Sequence, residues 1–170
     1  MSRLDPPDRL TPVTALPPGA CFEFVTYSGT PSEIATGGAW PAEPGQASQD
    51  AAGRPAMLHF APDRWLVPAP APDLLQQLAS LERGGGGMLV EVEGKWQQLQ
   101  LAAKHGRRIL SSSIDVEAVL AGRHCAAVML FDCPGIVARN GESFDVWMVA
   151  SFVESFVAVA ALLRDLHPSS

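Results

Sequence analysis

The stretch Ala56-Met-Leu-His-Phe-Ala-Pro-Asp-Arg-Trp-Leu-Val67 decides how the chain is to be read. Met57 to Phe60 and Arg64 to Val67 are short β-type runs, and Ala61, Pro62 and Asp63 between them are turn formers. The pattern predicts a hairpin. Pro70 and Pro72 follow, and Asp73 to Glu82 carries Leu74, Leu75, Leu78 and Leu81 at helical spacing, with Pro72 suited to the first turn. Gly84 to Gly87 ends that helix.

Working outward, Met88 to Val92 and Lys95 to Leu101 alternate around Glu93 and Gly94 and read as a second hairpin. A short helix is expected over Ala103 to Ser111. Three strands follow, Cys125 to Phe131, Ile136 to Arg139 and Phe144 to Ala150, joined through Asp132-Cys133-Pro134-Gly135 and Asn140-Gly141. A helix from Ser151 to about Leu166 comes last. On the other side, Cys21 to Tyr27 alternates weakly as a strand. Gly29 to Pro55 is rich in Gly, Pro, Ala and Ser and reads as a long surface connection, ordered where Trp40 finds a pocket.

Residues 1–19, with five prolines and no apolar periodicity, are expected to form a flexible leader, and 20–170 a single domain. Hairpins with interspersed helices predict an α+β fold: an antiparallel or mixed sheet, or sheets, with helices packed on one face. The order strand, helix, hairpin from Arg64 to Leu101 is loosely echoed from Leu101 to Ala150. That echo suggests a pseudo-duplicated architecture.

A chain of 170 residues can bury a real core without disulfide or metal staples. Hydrophobic residues make up 47% and charged residues 18%, below the quarter or so usual in soluble domains. The shortage of charge fits a protein that hides surface in an assembly, and equally a plain domain with an uncharged Pro/Ala-rich tail. A net charge of −6 and the single basic cluster of Lys104, Arg107 and Arg108 argue against nucleic acid, which needs clustered cations. The apolar stretch Phe144 to Leu163 is interrupted by Asp145 and Glu154, so no membrane span is expected. Three cysteines without a CxxC pair, and no signal-peptide pattern ahead of them, point to a reduced, cytoplasmic chain.

His59, His105, His124 and His167 are scattered, and the adjacent pair His124-Cys125 on a strand would point to opposite faces, so no metal site is expected. Cys133 in a Pro-Gly turn is a possible exposed thiol, but no basic neighbour favours its thiolate. Ser111-Ser112-Ser113 lacks a nucleophile elbow and reads as capping hydroxyls at a helix end. Gly84 to Gly87 runs from helix to strand, the wrong polarity for a phosphate cradle. No catalytic, cofactor-binding or metal residue is therefore assigned in this chain.

Several of these blocks resemble one family. Ala56 to Val67, preceded by Trp40-Pro-Ala-Glu-Pro-Gly45, is similar to a segment of the sarcosine oxidase gamma subunits. Gly122-Arg-His-Cys-Ala126, Ile136-Val-Ala-Arg139, Gly141, Phe144 and Ser151-Phe152 follow the family's later spacing. Leu101, Ile109, Leu110 and Asp115 echo the segment between, with Ala103 where the family has Gly and an interval about two residues short. The matched blocks cover roughly residues 40–166.

The resemblance implies a fold like the folate-binding domain of the glycine cleavage T protein. It also implies a non-catalytic small subunit of a bacterial heterotetrameric oxidase complex in sarcosine catabolism and one-carbon metabolism. FAD, FMN, NAD and tetrahydrofolate would then lie in partner subunits of alpha, beta and delta type, and this chain would hold no cofactor. Two alternatives stand beside it. One is a folate-binding or aminomethyltransferase-like module, for which Asp115 is the best carboxylate although a capping role suits it too. The other is a self-associating, stand-alone domain. Finally, the last helix carries more apolar residues than one core stripe requires. Phe152, Phe156, Val159, Leu163 and Leu166 are expected to meet the sheet, with Val153, Val157 and Ala160 as a lateral strip for a partner or a neighbouring helix.

Overall fold

The computed structural model describes residues 13–17, 19–27 and 40–165. Among them are ten strands: β1 (Val13–Ala15), β2 (Cys21–Thr26), β3 (Ala47–Gln49), β4 (Pro55–Ala61), β5 (Arg64–Pro68), β6 (Gly87–Glu91), β7 (Trp96–Leu101), β8 (Cys125–Leu130), β9 (Cys133–Asn140) and β10 (Ser143–Val149). The helices are α1 (Pro72–Arg83), α2 (Ala103–Ser111), α3 (Val116–Val119) and α4 (Val153–Asp165), the last entered through a 3₁₀ turn at Ala150–Phe152.

The strands form two five-stranded sheets, β3-β4-β5-β2-β6 and β1-β7-β10-β9-β8, and every pairing is antiparallel. The sheets face one another through a shared buried cluster: Cys21, Leu58 and Leu66 from the first meet Cys125, Ile136, Ala138 and Trp147 from the second. Each sheet carries helices on its outer face alone. Leu78 of α1 packs on Phe24, Met57, Trp65 and Val67. On the far side, Ile109 and Leu110 of α2, Val116 of α3, and Phe156 and Ala160 of α4 cover Leu99, Leu101, Val137, Phe144, Val146 and Met148. The result is four layers, helix, sheet, sheet, helices, and it agrees with the expected α+β class.

Local chemistry explains the strand patterns. A strand in the middle of such a stack is buried on both faces and loses its polar alternation. In β10, Phe144, Val146 and Met148 belong to the helix-facing core while Trp147 belongs to the cluster between the sheets, so the run looks continuously apolar. The β4–β5 hairpin turns at Asp63, which adopts a positive φ of 56°, and β6 can lie close to β2 because Gly87 has no side chain. A Cβ there would sit 2.5 Å from the Val25 carbonyl.

Several expectations are corrected. Met88 to Val92 and Lys95 to Leu101 do not pair: β6 joins β2 over five registered positions, and β7 joins β10 over six in the other sheet. Each strand completes a different sheet, and Glu93-Gly94 becomes the crossing between sheets. Residues 13–15, expected in the leader, form β1 against Leu99 to Leu101; residues 1–12 lie outside those described. The long connection also contains β3, paired with β4, while its residues 28–39 lie outside the described set.

Cys133 is not in a turn but opens β9, because Leu130 pairs with Cys133 and closes a two-residue link at Phe131 and Asp132, both with positive φ. On the last helix, Ala160 lies in the core at 1% exposure and Val153 packs partly against it, whereas Phe152 is 37% exposed. Phe152 sits in the 3₁₀ turn, so the helical phase does not extend to it. Leu166 lies outside the described residues.

The sheet orders bear on the suspected duplication. Each is a three-strand meander (β3-β4-β5, β8-β9-β10), then the strand preceding that meander (β2, β7), then an edge strand. In the first sheet the edge is β6, which follows α1. In the second it is β1, which comes ahead of β2 in the chain. The two halves are alike with one edge strand taken from the other half.

Candidate functional site

The side chains singled out in the sequence are scattered. Asp115 is exposed and caps α3, its Oδ1 accepting from the Ala118 amide at 3.1 Å. That use satisfies a helix-end donor. Ser112 Oγ donates to the Arg108 carbonyl at 3.0 Å, and Ser113 Oγ accepts from the Phe131 amide at 2.8 Å. Both hydroxyls are spent on the turn after α2. Of the basic cluster, Arg107 pairs with Glu117, which Arg139 also approaches at 3.6 Å, and Arg108 donates to the Leu163 carbonyl at 3.0 Å.

Cys125 starts β8 and His124 precedes it, and their amides donate to the Gly45 carbonyl at 3.0 and 2.7 Å respectively. Gly45 in turn donates to the His59 carbonyl at 2.7 Å, so this residue joins the corner where the two sheets meet. Cys125 is fully buried, its Sγ facing the Gln46 carbonyl at 3.4 Å, and burial pushes its thiol up to about 12. Burial does the same to Cys21. Such thiols stay protonated at neutral pH and are poor nucleophiles. Among the described residues no group of three or more His, Cys, Asp and Glu is placed to hold a metal ion.

Three further buried arrangements centre on Glu23, Asp145 and Trp65. Glu23 of β2 is 4% exposed and lies between the sheets. Lys95 Nζ donates to its Oε1, Trp96 Nε1 donates to the same oxygen at 2.8 Å, and Arg64 Nη2 donates to Oε2 at 2.5 Å. Desolvation alone would raise this carboxyl, but the hydrogen bonds from Lys95, Trp96 and Arg64 outweigh it and hold Glu23 below the usual carboxylate range. Because Trp96 belongs to β7, the carboxylate is a polar link across the stack. A lone acid at the inward position between Cys21 and Val25 was the available signal.

Asp145 is 1% exposed on β10, with Asn140 Nδ2 donating to its Oδ2 at 2.9 Å and no hydrogen bond reaching Oδ1. Burial raises its pKa, and the Asn140 and Gln98 amides offset this only in part. The third arrangement surrounds Trp65, which is fully buried. His59 stacks on it at 4.2 Å, Trp40 lies at 5.2 Å and Phe24 at 6.2 Å, and its Nε1 donates to the Pro41 carbonyl at 3.0 Å. Burial holds His59 below the ordinary imidazole value, the nearby Pro41 carbonyl opposing it.

A cleft of about 860 Å³ opens where the β3–β4 ribbon faces the start of α1, lined by Trp40, Met57, Leu74 and the amides of Gln49, Gln77 and Gln98. Asp50 and Arg54 on its rim neutralise each other at 2.8 Å. None of the three buried carboxylate or imidazole groups lines it. Ser48 and Asp73 also line this space.

Among the described residues no helix is long and apolar enough to cross a membrane. No family model and no curated protein matches the chain. A solved structure does: a chain of the heterotetrameric sarcosine oxidase from Corynebacterium sp. U-96, in complex with pyrrole 2-carboxylate. The two share 21% identity at a TM-score of 0.75, over 93% of this chain and 85% of that one. Across nearly its whole length, then, this chain is similar in fold to a chain of a heterotetrameric sarcosine oxidase.

Proposed function

We propose that this chain is the small, gamma-type subunit of a sarcosine oxidase-like complex in the cytoplasm, structural rather than catalytic. In this reading FAD, FMN, NAD and tetrahydrofolate belong to alpha-, beta- and delta-type partners. The observation that carries the reading is the two-way extent of the fold match: it takes in almost all of both chains, as expected of a whole subunit and not of a module borrowed into another protein.

The rival aminomethyltransferase-like reading needs a buried carboxylate beside a ligand. Asp115 is exposed and occupied as a cap, and the buried Asp145 does not line the cleft.

The test is to purify the tagged chain alone and co-expressed with the oxidase-type chains that this reading expects to be encoded beside its gene. Alone it is expected to be colourless and to turn over no sarcosine with added FAD, FMN and tetrahydrofolate. Together, the flavin band should co-elute with the tag and sarcosine should be oxidised. A flavin band held by the isolated chain through gel filtration would overturn the reading.

A further inference from the structure

We infer that the outward face of α4 is the surface on which the larger, unlike chain docks, and that it receives an apolar helix of that chain; the inference rests on the subunit reading above. Opposite the buried Phe156 and Ala160, the arc of α4 that faces away from the sheet presents Glu154, Val157, Ala158, Ala161 and Leu162. A surface helix ordinarily places charges on this arc. α4 carries Glu154 in its first turn and Arg164 and Asp165 at its end, and the nine residues between, 155–163, are uncharged.

Exposure makes the same point. On α4, Leu162 is 64% and Val157 37% exposed, and Phe152, 37% exposed, stands in the 3₁₀ turn that enters the helix, so half of the six large exposed hydrophobics among the described residues lie within residues 152–162. The other three, Tyr27, Met88 and Met129, stand on three different strands or their ends. Clustered apolar exposure of this kind marks an interaction surface, whereas scattered exposure is ordinary.

The shape specifies the occupant. Val157 with Ala161, and Ala158 with Leu162, form two adjacent i, i+4 rows in which large and small residues alternate. Rows of that kind interdigitate with the ridges of another helix at an axial distance of about 8–10 Å. The occupant is an unlike chain, because a second copy would bring a further net charge of −6 and another Glu154 to the same contact. A basic side chain flanking the partner's apolar helix would complete the pairing at Glu154.

The deciding experiment co-expresses tagged full-length chain with the neighbouring oxidase-type chains and compares wild type, Val157→Glu/Leu162→Glu and the control Met129→Glu on β8. Wild type and the control should retain the larger chain, and the double variant should retain at least about tenfold less while its circular dichroism and melting temperature stay unchanged. Should the double variant unfold, Leu162→Glu alone, at the more exposed site, decides. Undiminished retention by a folded variant overturns the docking surface and leaves the subunit reading standing. Failure of wild type to retain any larger chain overturns that reading and this inference with it. A wild-type homodimer in light scattering that the double variant dissolves would overturn the choice of an unlike partner.

Discussion

Replacing Trp65 by alanine tests the stacked architecture at one of its largest fully buried side chains. The side chain is 0% exposed and touches elements from three directions: His59 on β4, Phe24 on β2, and Trp40, with Leu78 of α1 in the same cluster. Large-to-small changes of a buried Trp cost about 3–5 kcal/mol in lost transfer energy and cavity. The indole also satisfies the Pro41 carbonyl at 3.0 Å, and leaving a buried acceptor unpaired adds about 1–3 kcal/mol. Trp65→Ala should therefore cost at least about 4 kcal/mol. That is a large part of the ~5–15 kcal/mol that holds a typical domain folded. Trp65→Phe keeps a six-membered ring but loses the pyrrole part of the indole together with its donor, so an intermediate cost of about 2–3 kcal/mol is expected. Urea titration followed by far-ultraviolet circular dichroism is the suitable assay, since the substitution removes a fluorophore. A loss below about 1 kcal/mol for Trp65→Ala, at an unchanged denaturant slope, would refute the packing described. A Phe variant as unstable as the Ala variant would show that the hydrogen bond, and not burial, dominates.

Other substitutions separate burial from charge. Asp145 has a raised pKa in the fold, so its favourable contribution is complete below the unfolded value and is lost as pH rises through the folded value. Asp145→Asn should accordingly gain melting temperature over wild type as pH climbs from 4 to 8, and a gap that is constant with pH would contradict this. Gly106 lies inside α2, where Ala normally gains about 1 kcal/mol, yet a Cβ there would meet Leu101 Cβ at 2.8 Å; Gly106→Ala should destabilise the fold in thermal melts. Cys21, Cys125 and Cys133 are all buried, so Ellman's reagent should label no thiol rapidly in native protein and three on unfolding, and a fast native thiol would place one of them at the surface.

The hairpin at 57–67, helix α1 and helix α2 could be read from the chain because their signals are local: turn formers between β-type runs, leucines at helical spacing, glycines after the last turn. What could not be read is what depends on distant pairing. Nothing in Met88 to Leu101 itself says that its two strands belong to different sheets, since alternation looks the same whether the partner is the next strand or β2. Cys133 was misplaced for a related reason, as Pro134-Gly135 is a stronger turn signal than Phe131-Asp132, and only the Leu130–Cys133 register overrides it. The polar interior was the least legible part. Glu23 and Asp145 each appear as single acids in apolar strands, and their roles exist only once Lys95, Trp96, Arg64 and Asn140 are brought to them.

The exchanged edge strand has a consequence for the order in which this protein is made. β1 leaves the ribosome early, but its hydrogen-bonding partner is β7, where Val13 meets Leu101. The sheet β3-β4-β5-β2-β6 with α1 can form as soon as Glu91 has emerged, because all its strands come from one continuous stretch. β1 must wait, unpaired, until the second half has been synthesised. Such long-range closure slows folding and lengthens the time an open strand edge is exposed. A chain nicked at Glu93-Gly94 should thus yield fragments that associate, the second fragment drawing β1 out of the first to finish its sheet.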